Sequence, residues 1–345
     1  MLRFELNCLD REQEEEMRQL ILAAALTATM GWAGEAQERL PDVASGLAVP
    51  QNKGYAVERI GDGLYFVTDG FYTTMFMTTG AGTIVVDAPP TLGEKMIAAV
   101  RETTEEPIRW VIYSHAHADH IGAAGIYPKD ATIIAHSATA ARLARANDPG
   151  RPVPYGTFVG GKPVPMPTVT FDNDYELKAG NGTLMLSYRG SDHMPGNIYI
   201  FAPRQQVLMQ VDVIFPGWTP FKDLAIAEDI LGYVKSHDTI LSYPFEKMVT
   251  GHWSRTATRQ DVETQRDYIH DIEKNAATAL KSVDFYGLAG RVGTQNLARL
   301  FDTYLSEVAR NCADLTLDAW RNRLGGVEVW TQGHCGQVIN ALRVD

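Results

Sequence analysis

Ser114-His115-Ala116-His117-Ala118-Asp119-His120 sets three imidazoles and a carboxylate within six residues. The apolar run Trp110-Val111-Ile112-Tyr113 precedes it and reads as a buried strand ending in a short loop. A helix is expected to start near Ile121-Gly122-Ala123-Ala124. A strand end that sends four such side chains into one cleft has few purely structural uses. Imidazole and carboxylate together suit zinc, iron or manganese, whereas calcium and magnesium prefer a shell of oxygens. The plain alternative is a polar loop that happens to be rich in histidine.

Further donors follow in order. Gly190-Ser191-Asp192-His193-Met194-Pro195-Gly196-Asn197 interrupts a β pattern and carries His193. The strand Val207-Leu208-Met209-Gln210-Val211 ends in Asp212, and Lys247-Met248-Val249-Thr250 ends in Gly251-His252-Trp253. Five of the nine histidines thus fall at or just past strand ends.

The His-x-His-x-Asp-His pattern, with these downstream positions, resembles the signature of the metallo-β-lactamase fold superfamily. The resemblance covers roughly residues 55–274 and implies an α+β fold, a four-layer αββα sandwich. It implies that His115, His117 and His193 hold one metal, that Asp119, His120 and His252 hold a second, and that Asp212 bridges both. One departure is Val211, since a glycine usually precedes this aspartate. Two Zn2+ ions are the expected cofactors, with iron or manganese as alternatives. Between them a shared water would ionise near neutral pH and attack a carbonyl or phosphoryl centre. Asp119 would orient it and pass its proton to the leaving group, as the catalytic acid–base residue. Asp87, at the end of Thr83-Ile84-Val85-Val86, would by the same resemblance orient the metal loop from beneath; otherwise it merely starts a turn before Pro89.

The ligand set narrows the relatives. His117 is not Glu, which speaks against the flavo-diiron pattern. Asp rather than Cys stands at 212, and His120 is present. The combination looks more like lactonases, glyoxalase II-type thioesterases and phosphodiesterases than like β-lactamases. A β-lactamase re-enters if Asp212 is only structural, and a single-iron sulfur dioxygenase is an outlying alternative. The leading expectation is a hydrolase of an ester, lactone or amide bond in a fairly apolar small molecule. A metal-binding module without catalysis is the non-enzyme alternative.

Composition bounds the partners. The 345 residues carry a net charge of -11 and show no cluster of Lys and Arg, so nucleic acid is an unfavourable partner. The three cysteines, Cys8, Cys312 and Cys335, make no disulfide framework. Cys312 and Cys335 could pair in an oxidising compartment or remain two buried thiols.

Residues 1–36 read as an export leader whose true start is Met17. Leu20 to Met30 forms the apolar stretch, too short to span a bilayer. This predicts a periplasmic or secreted protein, free of the membrane after processing. The acidic run before Met17 argues for the alternative, an amphipathic helix on a cytoplasmic protein. Residues 37–274 form the expected catalytic domain. Residues 275–345 form a mainly helical extension that packs on it, borders the cleft or makes a homodimer contact.

Short strands in meander spacing run from Ala56 to Asp87, and Leu92 to Thr103 has helical periodicity. Ser137 to Ala146 is a predicted helix beginning at a Ser cap, with His136 before it as a structural histidine. Pro149 to Pro167 carries six prolines and reads as a loop bordering the site, with Tyr155, Phe158 and Met166 offering apolar contact. Asn181-Gly182 predicts a type I′ hairpin. Phe215, Trp218 and Phe221, with Phe71 and Tyr72, are candidates for an apolar wall or for core. Val292 to Asn311 and Leu315 to Leu324 are predicted as two helices. His334 beside Cys335 is not assigned to metal.

Overall fold

A computed structural model describes residues 41–344. The leader and the Met17 start expected above lie outside the described residues, as does Cys8. Strands β1 (Ala56–Gly61), β2 (Leu64–Thr68), β3 (Thr73–Thr78) and β4 (Thr83–Val86) form an antiparallel meander. Strands β5 (Ile108–Ile112), β6 (Thr132–His136) and β7 (Val169–Phe171) extend it in parallel, giving a seven-stranded sheet in sequence order. Helices α1 (Glu94–Arg101), α2 (Ala118–Ile121) and α3 (Ser137–Ala146) lie in these parallel connections.

The second sheet has five strands in the order β12-β11-β10-β9-β8. They are β8 (Asp174–Ala179), β9 (Gly182–Ser187), β10 (Tyr199–Ala202), β11 (Val207–Met209) and β12 (Lys247–Val249), with only β11 and β12 parallel. Helix α4 (Ile230–Ser242) joins those two. Beyond β12 come α5 (Arg259–Ser282), α6 (Phe285–Val292), α7 (Leu297–Trp320) and α8 (Val327–Val344).

Strand alternation builds the layers. Met75 and Met77 of β3 enter the core between the sheets, while Phe76 faces the helical side with Met96 and Leu143. In β11, Val207 and Met209 enter the same inter-sheet core, and Leu208 meets Tyr268, Ile272 and Val308 of the C-terminal helices. Successive side chains on a strand point to opposite faces, so each sheet is apolar on both. The architecture is the four-layer αββα, α+β sandwich with a C-terminal helical region.

Several local expectations need correction. The metal-loop helix starts at Ala118, three residues before the expected Ile121, with His117 as N-cap. His136, not Ser137, caps α3: its Nδ1 accepts from Ala138 N at 3.1 Å, and Ser137 Oγ turns to Asp172. The hairpin pairs Ala179 with Gly182, so its turn is Gly180-Asn181 with Gly180 at φ 51°. Glycine takes that conformation more readily than asparagine. The two predicted C-terminal helices are one, α7, because nothing between Asn311 and Leu315 breaks a helix. Position 274 falls inside α5, whose Ile269, Ile272, Ala276 and Ala279 share a core with Val308 and Cys312 of α7. Cys312 and Cys335 are disulfide-bonded across α7 and α8, with Cα atoms 6.0 Å apart. Among the described residues, no helix is long and apolar enough to cross a membrane.

Candidate metal centre

The candidate donors leave the edge of the sandwich from four places: His115, His117, Asp119 and His120 from the loop after β5, His193 from the turn before β10, Asp212 from the segment after β11 and His252 from the turn after β12. Ser114, just past β5, donates its backbone N–H to Asp87 Oδ1 at 2.8 Å, and Asp87 N–H returns to Ile112 O at 2.8 Å. Asp87 O also accepts from Tyr127 Oη at 2.6 Å. Burial pushes the Asp87 carboxyl up to about 7. Asp87 therefore braces the loop from beneath, at a φ of 53° that non-glycine residues seldom adopt. Ser114 Oγ lies 3.0 Å from His115 Nδ1, which leaves His115 Nε2 facing the cleft.

Asp212 reaches the same place from the end of β11. Asn197 Nδ2 donates to Val211 O at 2.9 Å and to Asp192 Oδ1 at 3.2 Å, and Gln210 Nε2 donates to Asp192 Oδ2 at 2.5 Å. That buried network fixes the backbone just before Asp212. On the neighbouring turn, Gly251 sits at φ 89°, and a Cβ there would lie 2.5 Å from Val211 Cγ1 and 3.1 Å from His120 Cε1. Only glycine lets His252 approach so closely.

All seven candidate ligands meet. His115, His117, His193 and Asp212 form one group, and Asp119, His120 and His252 another, the donor atoms of each lying within 4.8 Å of one another. Asp212 Oδ2 lies 3.4 Å from His115 Nε2, 3.2 Å from His193 Nε2, 3.1 Å from His120 Nε2 and 3.9 Å from His117 Nδ1. Its Oδ1 lies 3.0 Å from His252 Nε2. Asp119 Oδ2 is 3.5 Å from His120 Nε2 and 3.8 Å from His252 Nε2.

The donor set fits metal cations. His115 Nε2, His120 Nε2 and Asp212 Oδ1 are buried without a hydrogen-bond partner, which folded proteins rarely leave uncompensated. Burial lowers His115 and His117, favouring the neutral imidazoles that bind metals. Burial also opposes charge on Asp212, yet His120, His193 and His252 hold it well below the usual carboxylate range. Burial pulls His120 down, but Asp212 and Asp119 overcome it and push the imidazole up to about 10. A positive charge is thus required among these side chains, whether a proton or a metal supplies it.

A cavity of about 360 Å³ opens onto the cluster. Its floor is His117, Asp119, His193, Asp212 and His252, and its walls include Phe71, Tyr72, Val159, Phe215, Phe221 and Ile226. No lysine or arginine is among the lining residues described. A larger cavity of about 610 Å³, between Lys222, Leu305 and Trp330, has no histidine in its lining and Asp223 as its single carboxylate. The Phe215 ring stacks on His252 with centroids 5.8 Å apart, and Tyr72 Oη lies 3.5 Å from Asp119 Oδ2. Burial, then the Asp119 and Asp212 carboxylates, raise the Tyr72 phenol above its ordinary value, so it stays protonated.

The expected walls are partly redrawn. Trp218 stacks on Trp253 at 4.7 Å and donates to Ala44 O, outside the lining. In the proline-rich loop, Val159 lines the cavity, whereas Tyr155 is buried beneath with its hydroxyl donating to Ala116 O at 2.8 Å. Phe158 is 89% exposed and Met166 stands aside beside Asn147. His136 is a helix cap, and His334 is buried 2.9 Å from the Tyr268 hydroxyl.

Two features carry no sequence signal. Asp192, Asn197 and Gln210 join only once β9, β10 and β11 pair. The turn Lys222–Ile226 is wound left-handed, with φ of 56°, 55°, 56° and 51° at Asp223, Leu224, Ala225 and Ile226. Each such L-residue costs about 1–2 kcal/mol, so the turn must be held from outside.

A family model described as the metallo-beta-lactamase superfamily matches residues 67–252. The chain is 26% identical over 227 residues to the 2,4-dinitroanisole O-demethylase subunit alpha of Nocardioides sp. (strain JS1661), covering 64% of this chain and 62% of that one. It is 32% identical over 137 residues to a metallo-beta-lactamase type 2 of Bacillus sp. (strain 170), covering 39% and 47%. The chain thus spans less than two thirds of the length of either relative. A metallo-beta-lactamase from Pontibacter korlensis superposes with a TM-score of 0.51 at 15% identity, covering 62% of this chain and 99% of that one. A double mutant of the sec-alkyl sulfatase PisA1 superposes with 0.55 at 13%, covering 85% and 51%. These two likenesses are of fold alone.

Proposed function

The chain belongs to the metallo-β-lactamase superfamily, and from that premise we propose that it is a metal-dependent hydrolase cleaving an ester, lactone or amide bond of a fairly apolar small molecule. The observation that carries the reading is Asp212, ringed by five imidazoles at the floor of a cavity walled by Phe71, Tyr72, Phe215 and Phe221. His115, His117 and His193 would hold one ion, Asp119, His120 and His252 a second, and Asp212 both. Bound there, zinc (or iron or manganese) supplies Lewis acidity and lowers the pKa of water toward neutrality.

The remaining work falls to the chain. The Asp119 side chain, 25% exposed, faces the cavity and is placed to take a proton from the attacking water and return it to the leaving group. The Tyr72 phenol, kept protonated, stands beside it as a donor toward the departing oxygen. The aromatic walls exclude water and favour an uncharged acyl or aryl group.

A second reading is hydrolysis of an activated aryl ether. It rests on the relative named a 2,4-dinitroanisole O-demethylase subunit alpha, and the aromatic lining suits a flat electron-poor ring. β-Lactam hydrolysis is the third. Export remains part of the proposal, and the Cys312–Cys335 disulfide supports it, since disulfides persist mainly in oxidising compartments. Mass analysis of the mature N-terminus tests that point.

The central experiment combines metal analysis with a panel of nitrophenyl esters, a lactone, an anilide, a chromogenic cephalosporin, a nitrophenyl phosphodiester and a dinitroanisole. Turnover of an apolar ester or lactone, lost on chelation and restored by zinc, is the expected result. Turnover indifferent to metal removal would refute the proposal.

A further inference from the structure

Behind the cavity wall stands an element outside the matched family region. The left-handed turn Lys222–Ile226 presents Phe221, Ala225 and Ile226 to the cavity that His117, His193 and His252 share. A run of consecutive L-residues in this conformation is unstable by itself, because each Cβ crowds the following carbonyl. Something must impose it, and two anchors do.

The first is local. Ala225 N–H donates to Phe221 O at 2.7 Å, closing the turn, and Glu228 N–H donates to His193 O at 2.8 Å, tying its exit to a candidate ligand. The second comes from α8, the element beyond the family match. His334 Nε2 lies 3.3 Å from the same Phe221 carbonyl, and its Nδ1 lies 2.9 Å from the Tyr268 hydroxyl on α5. His334 is fully buried, and burial lowers it to about 4. The ring is therefore neutral, with one N–H for Phe221 O and one lone pair for Tyr268. Around it, the Trp330 ring packs edge-on against Phe221 at 5.2 Å, and a Cβ on Gly333 would lie 2.5 Å from Asp223 Oδ1. The neighbouring Cys335 is disulfide-bonded to Cys312, fastening α8 to α7.

We propose that the C-terminal helix α8 is part of the substrate site, with His334 a positioning residue that holds the Lys222–Ile226 turn as the specificity-determining wall of the cavity. The ligand class is the uncharged acyl or aryl portion of the substrate, seated against Phe221 and Ile226. The inference rests on the hydrolase reading for its kinetic consequence, while the seating itself can be measured without turnover. A buried histidine that merely stabilises the core would make the same hydrogen bonds. It would not, however, separate bulky from small substrates.

The test uses the full metal-loaded chain. KM and kcat are measured for p-nitrophenyl acetate and p-nitrophenyl octanoate, and the Kd of 2-naphthol by calorimetry, with metal content and Tm recorded for each variant. His334→Ala is expected to raise the octanoate KM and the naphthol Kd at least about fivefold. The kcat on acetate should stay within about twofold and metal content should not change. His334→Gln, which keeps an N–H for Phe221 O, should recover most of the loss. Parallel changes on acetate and octanoate, or unchanged octanoate KM and naphthol Kd in a folded, metallated variant, overturn the proposal. Should His334→Ala not fold, Trp330→Ala releases the wall from the same helix, and an unchanged naphthol Kd there is equally fatal. If the native chain hydrolyses neither ester, only the ester reading fails, and the naphthol Kd alone decides whether the wall is real.

Discussion

Asp212 turns Oδ1 to His252 Nε2 at 3.0 Å and leaves Oδ2 to the four other imidazoles. One carboxylate thus touches both donor groups. In the two-ion arrangement proposed above, its replacement should be felt by both ions, unlike that of any single histidine.

Asp212→Asn keeps the shape and removes the charge. Supporting residues alone are worth about 10–100-fold in metal affinity, so loss of this carboxylate should weaken binding by more than about 100-fold. Metal analysis after dialysis should show fewer ions per chain than in the unaltered protein. Thermal unfolding should lose most of its sensitivity to chelator, because a ligand stabilises only what it binds. Full retention of metal would remove Asp212 from the centre.

Asp119→Asn tests the proton carrier. General acid–base groups contribute about 10²–10⁴-fold, and a loss of that size in kcat is expected on the best ester. The loss should shrink for substrates whose leaving groups need no proton. A uniform loss across leaving groups would mean that Asp119 only holds metal.

Acid stability should carry the mark of His237. It is fully buried, Gln265 Nε2 lies 2.9 Å from its Nε2, and burial lowers it to about 4 from the ordinary 6.5. The folded state therefore favours the neutral ring. Its contribution is complete above pH 6.5 and is lost as pH falls from 6.5 through 4. A shift of that size corresponds to about 3 kcal/mol. The difference in urea midpoint between the native chain and His237→Gln should narrow over that window. A gap independent of pH would exclude the histidine as its source.

The Cys312–Cys335 bond closes a loop with a sequence separation of 23. Loop-closure entropy for that length is worth about 3 kcal/mol, or roughly 6 °C for a chain of this size. Cys312→Ser and reduction of the native protein should each lower Tm by about that much, without loss of metal. A Tm that reductant leaves unmoved would show that the cross-link adds nothing to stability.

Most of the sandwich is legible in the sequence, and the seven residues that the family resemblance singles out there converge on one cleft. Residues 114–120 and the strand ends at Asp212 and His252 stand out because ligands at a sandwich edge must sit where alternation stops. That local signal survives in a linear sequence. The features that escape it depend on tertiary closure. Trp218 differs from Phe215 and Phe221 only in which neighbour it meets, Trp253 rather than the cavity. The Gly180-Asn181 turn shows that a dipeptide preference yields to strand register. Lys222 to Ile226 contains no glycine and no asparagine, so its handedness is imposed by the groups around it. His334 reads as a stray histidine because its partner lies 113 positions earlier.

That spacing has a consequence for synthesis. A ribosome finishes the whole donor set by His252, yet the residue that pins Phe221 emerges only many codons later. On the proposed role of His334, a nascent chain halted in that interval would own its candidate metal ligands with one side of the pocket still slack. Maturation of selectivity would then trail maturation of the metal site during translation.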